Sequence, residues 1–408
     1  MSARSVSFVQ AIAAIPCEHW NALLSPTDNP FVDWRFLAAL EQSGCASPQS
    51  SWTPCHAVVR QGSSLLAVAP AYLKDGSDGD FSRDWEWAAA AERARIPYYP
   101  KLVFGIPFTP VSGRRILFAS GLSESDQHEI TEQLVSASKQ LMQKLGLGAL
   151  HVLFPTQEQS ALCATHGLTE RIDFQYHFVN PGYRSEDAFY ARFSSKRRNA
   201  MRREMAAPAE QGITLETLRY EDLKRDLSLY AQLAHTLHRS TVDKLLWGRR
   251  WLNQAFYEQL FLTMPQPLEL VIASKDGQVV AGAFNVASSD RLFGRYWGCL
   301  QEFPFLHFNV CLYHSIAACI ARGTSVFEGG AGGEHKISRG FEPTETYSAH
   351  AFAHPQLGAA LQSHLQRESE RRRAARPVPE LVWTGPERSN ATARDTAVVL
   401  RSLFESAK

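Results

Sequence analysis

The chain has 408 residues, 45% of them apolar and 20% charged, a composition that excludes wholesale disorder, collagen and coiled coil. That length exceeds what one hydrophobic core usually serves, so two domains are expected. A net charge of +1 excludes a global field toward nucleic acid or membrane and leaves any such preference to a local patch.

The opening MSARSVSFVQAIAAIPCEHW carries one arginine and a short apolar run, but Glu18 and His19 follow without a small-residue cleavage site. Residues 55–60 and 65–73 read as two strands around the turn Gln61-Gly62-Ser63-Ser64. Residues 81–95 read as a helix. YYPKLVFGIPFTPV, 98–111, holds three prolines among apolar residues and reads as an irregular strand bordering a site or an edge. Ile130, Leu134, Ala137, Leu141 and Leu145 give residues 126–145 the spacing of an amphipathic helix, ended by Gly146 and Gly148. A strand at 149–154, a short helix to His166 and a strand at 168–179 complete the first half.

The second half repeats this plan. A basic helix is expected at 186–210, a strand at 213–219, and helices at 222–239 and 249–263. Strands follow at 268–274, 278–287 and 291–300, then a helix at 307–322 and strands at 325–328 and 345–352. A charged helix ends near Arg376. Phe154, Gly167 and His177 recur as Phe327, Gly340 and His350 at a constant offset of 173 residues. This favours two similar α/β domains over one large sheet, with boundaries at 1–182 and 183–375 and a loosely attached tail at 376–408. In this register Lys336 answers to Cys163.

No run approaches the ~20 apolar residues of a membrane-spanning helix. Seven cysteines, at 17, 45, 55, 163, 299, 311 and 319, form no CxxC pair. Their irregular spacing argues against a disulfide framework and fits a reducing, cytoplasmic setting.

The densest candidate chemistry is EGGAGGEHKISRGFEP, Glu328 to Pro343. Four glycines in five residues let backbone amides approach a ligand closely. Glu334, His335, Lys336 and Arg339 then place a carboxylate, an imidazole and two cations within six residues, a set able to relay a proton and stabilise an oxyanion or phosphate. A loop of solvated charges is the plainer alternative. On the strand before it, Phe293, Arg295 and Trp297 share one face. Arg295 either holds a carboxylate or phosphate or lies at a wet edge. Lys196, Arg197, Arg198, Arg202 and Arg203 form a basic run with Glu204 as its one acid. It reads either as a solvated face or as a site for a phosphate backbone such as tRNA. Tyr98, Tyr99 and Lys101 read as substrate contacts or as interface packing. His350 and His354 lie on a strand before Pro355, so no metal pair is expected. Neither a GxxxxGK[ST] phosphate loop nor a GxSxG elbow is present.

Tyr98-Tyr99-Pro100-Lys101, PFTPVSGRR from Pro107 to Arg115, Gly294-Arg295-Tyr296-Trp297-Gly298, and Gly333-Glu334-His335-Lys336 with Arg339-Gly340-Phe341 together resemble the Fem-type (FemAB-like) predicted N-acyltransferases of the GNAT superfamily, also labelled peptidoglycan biosynthesis proteins. The resemblance runs from about Asn29 to Glu368. It implies two tandem GNAT-like domains, each a mixed twisted sheet flanked by helices, the first a degenerate substrate-binding wall and the second catalytic. It implies transfer of an acyl or aminoacyl group, with aminoacyl-tRNA as donor, to an amine on a small molecule, peptide or cell-wall precursor, with no tightly bound cofactor. Lys336, Glu334 and His335 take the catalytic roles. Arg295, Trp297, Tyr98, Tyr99, Lys101, Arg339 and Glu328 bind substrate. GNAT enzymes that use acyl-CoA rest its pyrophosphate on a glycine-containing loop, whereas the equivalent QEFPFLHFN, 301–309, has none. A CoA-dependent N-acetyltransferase and a non-catalytic module that binds RNA or a partner remain as alternatives. The family leads one to expect a bulkier polar residue at Gly332.

Overall fold

The computed structural model describes residues 3–244 and 249–375, apart from the side chain of Glu334. The tail expected at 376–408 lies outside the described residues. The amphipathic pattern of the first half forms the helix Glu124–Leu145. Ser123 and Asp126 close a capping box at its start, and Gly146 ends it in the left-handed conformation. Its buried side, Ile130, Leu134, Val135 and Met142, joins the core around Leu102, Leu150 and Val152.

The first half supplies β1 (Arg4–Val9), β2 (Thr53–Pro54), β3 (His56–Gln61), β4 (Ser64–Ala69), β5 (Ala71–Lys74), β6 (Lys101–Phe104), β7 (Leu117–Phe118), β8 (Ala149–Leu153) and β9 (Thr169–Val179). The second supplies β10 (Ile213–Leu218), β11 (Leu268–Lys275), β12 (Gln278–Ala287), β13 (Arg291–Cys299), β14 (Val326–Glu328) and β15 (Glu342–Phe352). β1, β3, β4 and β7 make a small sheet; the remaining eleven form one mixed sheet, in the order β10-β11-β12-β13-β14-β9-β15-β8-β6-β5-β2. The mixed α/β class is as expected, with helices flanking the large sheet. The sheets of the two halves, expected to be separate, are continuous. β15 of the second half is inserted between β8 and β9, and β9 of the first half pairs with β14. Each half therefore completes the other's sheet with its last strand.

Several elements differ locally from expectation. Arg4–Val9 forms β1, a strand not expected from sequence, paired antiparallel with β3. Only Lys101–Phe104 of the proline-rich 98–111 segment is strand, because its prolines cannot donate to a ladder. The single basic helix expected at 186–210 is two, Glu186–Tyr190 and Ser195–Glu210, capped by Ser185 and Ser194. The helix expected at 307–322 opens with one turn, Leu306–Phe308, and passes through a π-helical segment, Asn309–Tyr313, before His314–Arg322. Helix Leu227–Val242 presses on β13 so closely that a Cβ on Gly298 would come within 2.0 Å of the Leu237 carbonyl oxygen. Among the described residues no helix is long and apolar enough to cross a membrane.

Candidate functional site

β13 and β14 run parallel only from Arg291 opposite Val326 to Phe293 opposite Glu328. Beyond that point β13 continues to Cys299, while the chain after Glu328 turns into the glycine loop. Gly330, Gly332 and Gly333 all have positive φ, which explains why this turn needs glycine. The expected bulkier residue at Gly332 would meet that backbone restriction.

Lys336 sits at the centre of the loop. Its ammonium donates to the carbonyls of Gly330, at 2.7 Å, and Gly332, at 2.8 Å. It is buried, and no carboxylate pairs with it among the described side chains. Burial pushes its pKa down to about 8. A Cβ on Gly329 would lie 3.5 Å from the Lys336 side chain, and one on Gly294 would lie 3.6 Å from Gly329. The loop thus lies directly against the part of β13 that carries Arg295.

Glu328 forms the floor. Its carboxylate lies 3.2 Å from Arg291 and 3.8 Å from His177, and Oε2 has no hydrogen-bond partner. Burial raises Glu328 to about 7 despite the pull of Arg291, Arg295 and Arg115. Burial, helped by Arg291 and Lys336, drives His177 down to about 3, so the imidazole is neutral. Arg115 is fully buried and donates to the carbonyls of Leu153, Gly113, Arg114 and Val111, knitting the PFTPVSGRR segment together behind this floor.

Arg295 is half-buried, donates to the Phe108 carbonyl at 2.7 Å and stacks over Phe31. Trp297 is half-buried, with its ring 5.1 Å from His307. His335 is exposed, and its ring lies 6.3 Å from His307 and 5.7 Å from Phe308. Glu334 begins the 3-10 helix Glu334–Arg339, and its side chain lies outside the described residues.

Other expected site residues have internal partners. Arg339 is buried, paired with Glu204 at 2.8 Å, and packed 3.4 Å from the Phe308 ring centre. Its guanidinium ties the glycine loop to the basic helix. Arg197 belongs to the same clamp, since it donates to the Ser338 carbonyl and lies 3.5 Å from Glu204. Arg198 donates back to Phe193. Lys196, Arg202 and Arg203 remain exposed. Within the expected RNA-binding run, three cations therefore face outward and two are drawn inward.

Tyr98, Tyr99 and Lys101 form a separate cluster in the first half. Lys101 was expected to position an anionic substrate; it is instead fully buried, 2.8 Å from Asp80 and 2.5 Å from Asp84. Burial opposes its charge, but these two carboxylates overcome that and raise its pKa. Tyr98 is buried and donates to Asp84, while Tyr99 meets Ser77. An ammonium enclosed in this way has no face left for a ligand. Asp80 and Asp84 lie in the loop before the helix Trp85–Arg93, and their local sequence gives no sign of a partnership with Lys101.

A cavity of about 410 Å³ opens between the halves, lined in part by Lys74, Asp78, Arg249, Arg250 and Trp251. Lys74 is buried against Trp52, donates to the Asp78 carbonyl, and is lowered to about 8 by burial. Trp251 stacks on Phe108, whose carbonyl holds Arg295. Sequence reasoning missed Lys74, Arg249 and Arg250, because only the tertiary fold brings them to one wall. It noted His177 as a repeat marker alone.

Residues 11–380 match the FemAB-like family, described as peptidoglycan biosynthesis/recognition. The chain belongs to this family. Among solved structures, this FemAB-like protein is similar to the C-terminal domain of a putative lysylphosphatidylglycerol synthetase from Agrobacterium fabrum, at 11% identity, TM-score 0.51, covering 87% of this chain and 95% of that one. That likeness supports the fold alone. FemX aligns at 11% identity and TM-score 0.48, covering 82% of this chain and 96% of that one. A tandem GNAT protein from the clavulanic acid biosynthesis pathway aligns at 14% and 0.46, covering 86% and 99%. No curated protein sequence matches the chain directly.

Proposed function

We propose that this FemAB-like protein is an N-acyltransferase that moves an acyl or aminoacyl group onto an amine. The observation that carries this reading is Lys336, a buried ammonium that among the described side chains has no carboxylate partner and is held by loop carbonyls where β13 and β14 part. A buried cation without a counter-charge is costly alone and becomes favourable when negative charge arrives beside it. Acyl transfer supplies that charge. The amine nitrogen attacks the acyl carbon, a C–N bond forms, and the carbonyl oxygen becomes an oxyanion that Lys336 stabilises. Collapse breaks the bond to the donor oxygen, which leaves with a proton. Glu328, raised to about 7, suits acceptance of the amine proton near neutral pH. His335 and Glu334 are the other candidates for that step.

The proposed donor is aminoacyl-tRNA. Support comes from the outward cations Lys196, Arg202 and Arg203 on a helix clamped to the Lys336 loop, and from the glycine-free 301–309 segment. Acyl-CoA is the alternative donor. The family description favours a cell-wall precursor or peptide as acceptor. Its anionic part would enter the cleft of Lys74, Arg249 and Arg250, with Arg295 nearer the reacting centre.

The test is transfer of labelled amino acid from a charged tRNA mixture, or of labelled acetyl from acetyl-CoA, to a panel of amine-bearing cell-wall precursors. Lys336→Met should abolish transfer while the protein stays folded. Full activity in that variant would sink the assignment. Salt-sensitive tRNA binding with no transfer to any amine would favour a non-catalytic binding module.

A further inference from the structure

The loop between β13 and the turn Leu306–Phe308 enters the donor argument above only through its lack of glycine, and its side chains have no role in the chemistry. Leu300 and Phe305 within it are 47% and 46% exposed, among the few large apolar side chains the described protein leaves in water. Pro304 beside them is exposed as well. Phe305 has φ +61, a left-handed backbone that strains a bulky non-glycine residue. The phenyl ring at this position stays about half exposed.

Lys275 and Lys244 lie at this loop, and a helix with exposed cations runs beside it. Lys275 Nζ lies 4.9 Å from the Phe303 ring centre. Gln211 donates to the Pro304 carbonyl at 3.3 Å, which brings the helix Ser195–Glu210 alongside. That helix exposes Lys196, Arg202 and Arg203, while its mid-helix acid, Glu204, turns inward to Arg339. Exposed acids nearby include Glu210, Glu302 and Asp276 next to Lys275, and Lys244 pairs with Glu302 at 3.1 Å.

We propose that this loop is a docking point for an anionic lipid surface, with Leu300 and Phe305 entering the headgroup boundary and the neighbouring cations meeting lipid phosphates. RNA would use the cations but gain nothing from a leucine at a convex tip. A lipid surface uses both at once, since apolar insertion and cationic attraction add. The contact is small, so binding is reversible and weakens with salt. The inference stands apart from the acyltransferase reading.

Sedimentation of the full chain with vesicles tests it. At low salt the protein should pellet with vesicles of equal phosphatidylglycerol and phosphatidylcholine, and remain in solution with phosphatidylcholine alone. Leu300→Ser with Phe305→Ser should weaken vesicle binding about tenfold or more, from the apolar area withdrawn, with melting temperature and binding of a tRNA mixture unchanged. Equal binding to both vesicle types, or wild-type vesicle binding by the double variant, overturns the proposal. Loss of tRNA binding in that variant would make the loop a nucleic-acid contact and overturn it as well. Absence of transferase activity with lipid docking intact would count against the proposed reaction alone.

Discussion

Asp173 on β9 lies directly opposite Thr346 on β15, the residue 173 positions later in the chain. The same offset relates His177 to His350, so a pseudo-twofold axis passes between these two strands. Around it, His177 pairs with Glu328 on β14, and its counterpart His350 pairs with His151 on β8. One strand further out, Phe293 opposes Glu328 and Val103 opposes His151, so Arg291 answers to Lys101. The two halves have taken opposite courses around lysines that are not counterparts of each other. In the second half a carboxylate lies where the strands part, beside a lysine with no carboxylate partner among the described side chains. In the first, two aspartates close over the lysine, and His151 and His350 meet each other in the interior.

The closed cluster predicts a stability cost. Lys101→Met would leave Asp80 and Asp84 buried without their cation, and removing one partner of a buried pair costs about 3–5 kcal/mol. Adding Asp80→Asn and Asp84→Asn should restore a substantial part of it. Urea unfolding of the two variants checks the order; equal stability of the single variant and wild type would contradict the cluster's role.

The open half predicts the opposite sign. Burial lowers Lys336 from an ordinary 10.5 to about 8, so the unfolded chain binds its proton more tightly than the folded one. The penalty is fully present below pH 8 and is relieved as pH rises from 8 toward 10.5, by ~3 kcal/mol at most. Lys336→Met should accordingly raise the melting temperature at pH 7 while abolishing transfer. A lower melting temperature would mean that the bonds to Gly330 and Gly332 outweigh the desolvation of the charge.

Glu328 gives a separate pH signature. Its folded pKa is raised from 4.5 to about 7, so its contribution to stability is complete below pH 4.5 and is lost as pH climbs through 7. The loss is about 3 kcal/mol or less. Glu328→Gln should flatten the stability profile between pH 4.5 and 7 when the two proteins are unfolded in urea across that range. An unchanged slope would place the titration elsewhere.

How far the sequence revealed this site depends on whether a pattern is local. The amphipathic spacing from Ile130 and the glycine turn before Lys336 are each written in contiguous sequence and each appears in the structure, although Leu145 at the end of that spacing is exposed and Met142 is buried instead. The 173-residue offset holds between β9 and β15, but the strand pairings make Phe327 answer to Leu150 rather than Phe154. The motif around Lys101 misled because a lysine's partners are tertiary: Asp80 and Asp84 enclose it from a segment about twenty residues earlier. Arg339 looks like a free cation in sequence for the same reason, since Glu204 reaches it only after the helix has docked, whereas Arg197 lies two turns from Glu204 on that same helix. Strand exchange has no local signature at all. β9 and β15 have equivalent patterns, and nothing in either tells which neighbour each will choose.

The division of the basic helix into inward and outward cations predicts which of them affect RNA. Arg202→Gln and Arg203→Gln should weaken tRNA binding and reduce the steepness of its salt dependence by about 0.7–0.9 for each phosphate no longer neutralised. Arg197→Gln should act mainly on stability, because its partners are Ser338 and Glu204. Filter binding between 50 and 200 mM salt, beside thermal melting, separates the two classes; identical salt slopes in all variants would remove this helix from the RNA interface.

The exchanged strands predict that the halves cannot be separated at the boundary drawn from sequence. A fragment ending at residue 182 would keep β8 and β9 but lose β15, which lies between them and pairs with both. Both strands would then expose backbone donors and acceptors along edges that are interior in the whole chain, and unpaired edges promote aggregation. The complementary fragment from 183 would lose β9 and leave one side of β14 bare. Each fragment alone should be insoluble or unfolded by circular dichroism, whereas co-expression of both should yield a soluble complex, since each supplies the strand the other lacks. A folded, monomeric 1–182 fragment would show that β8 and β9 can close on each other, and that β15 is an addition to the first half rather than part of its core.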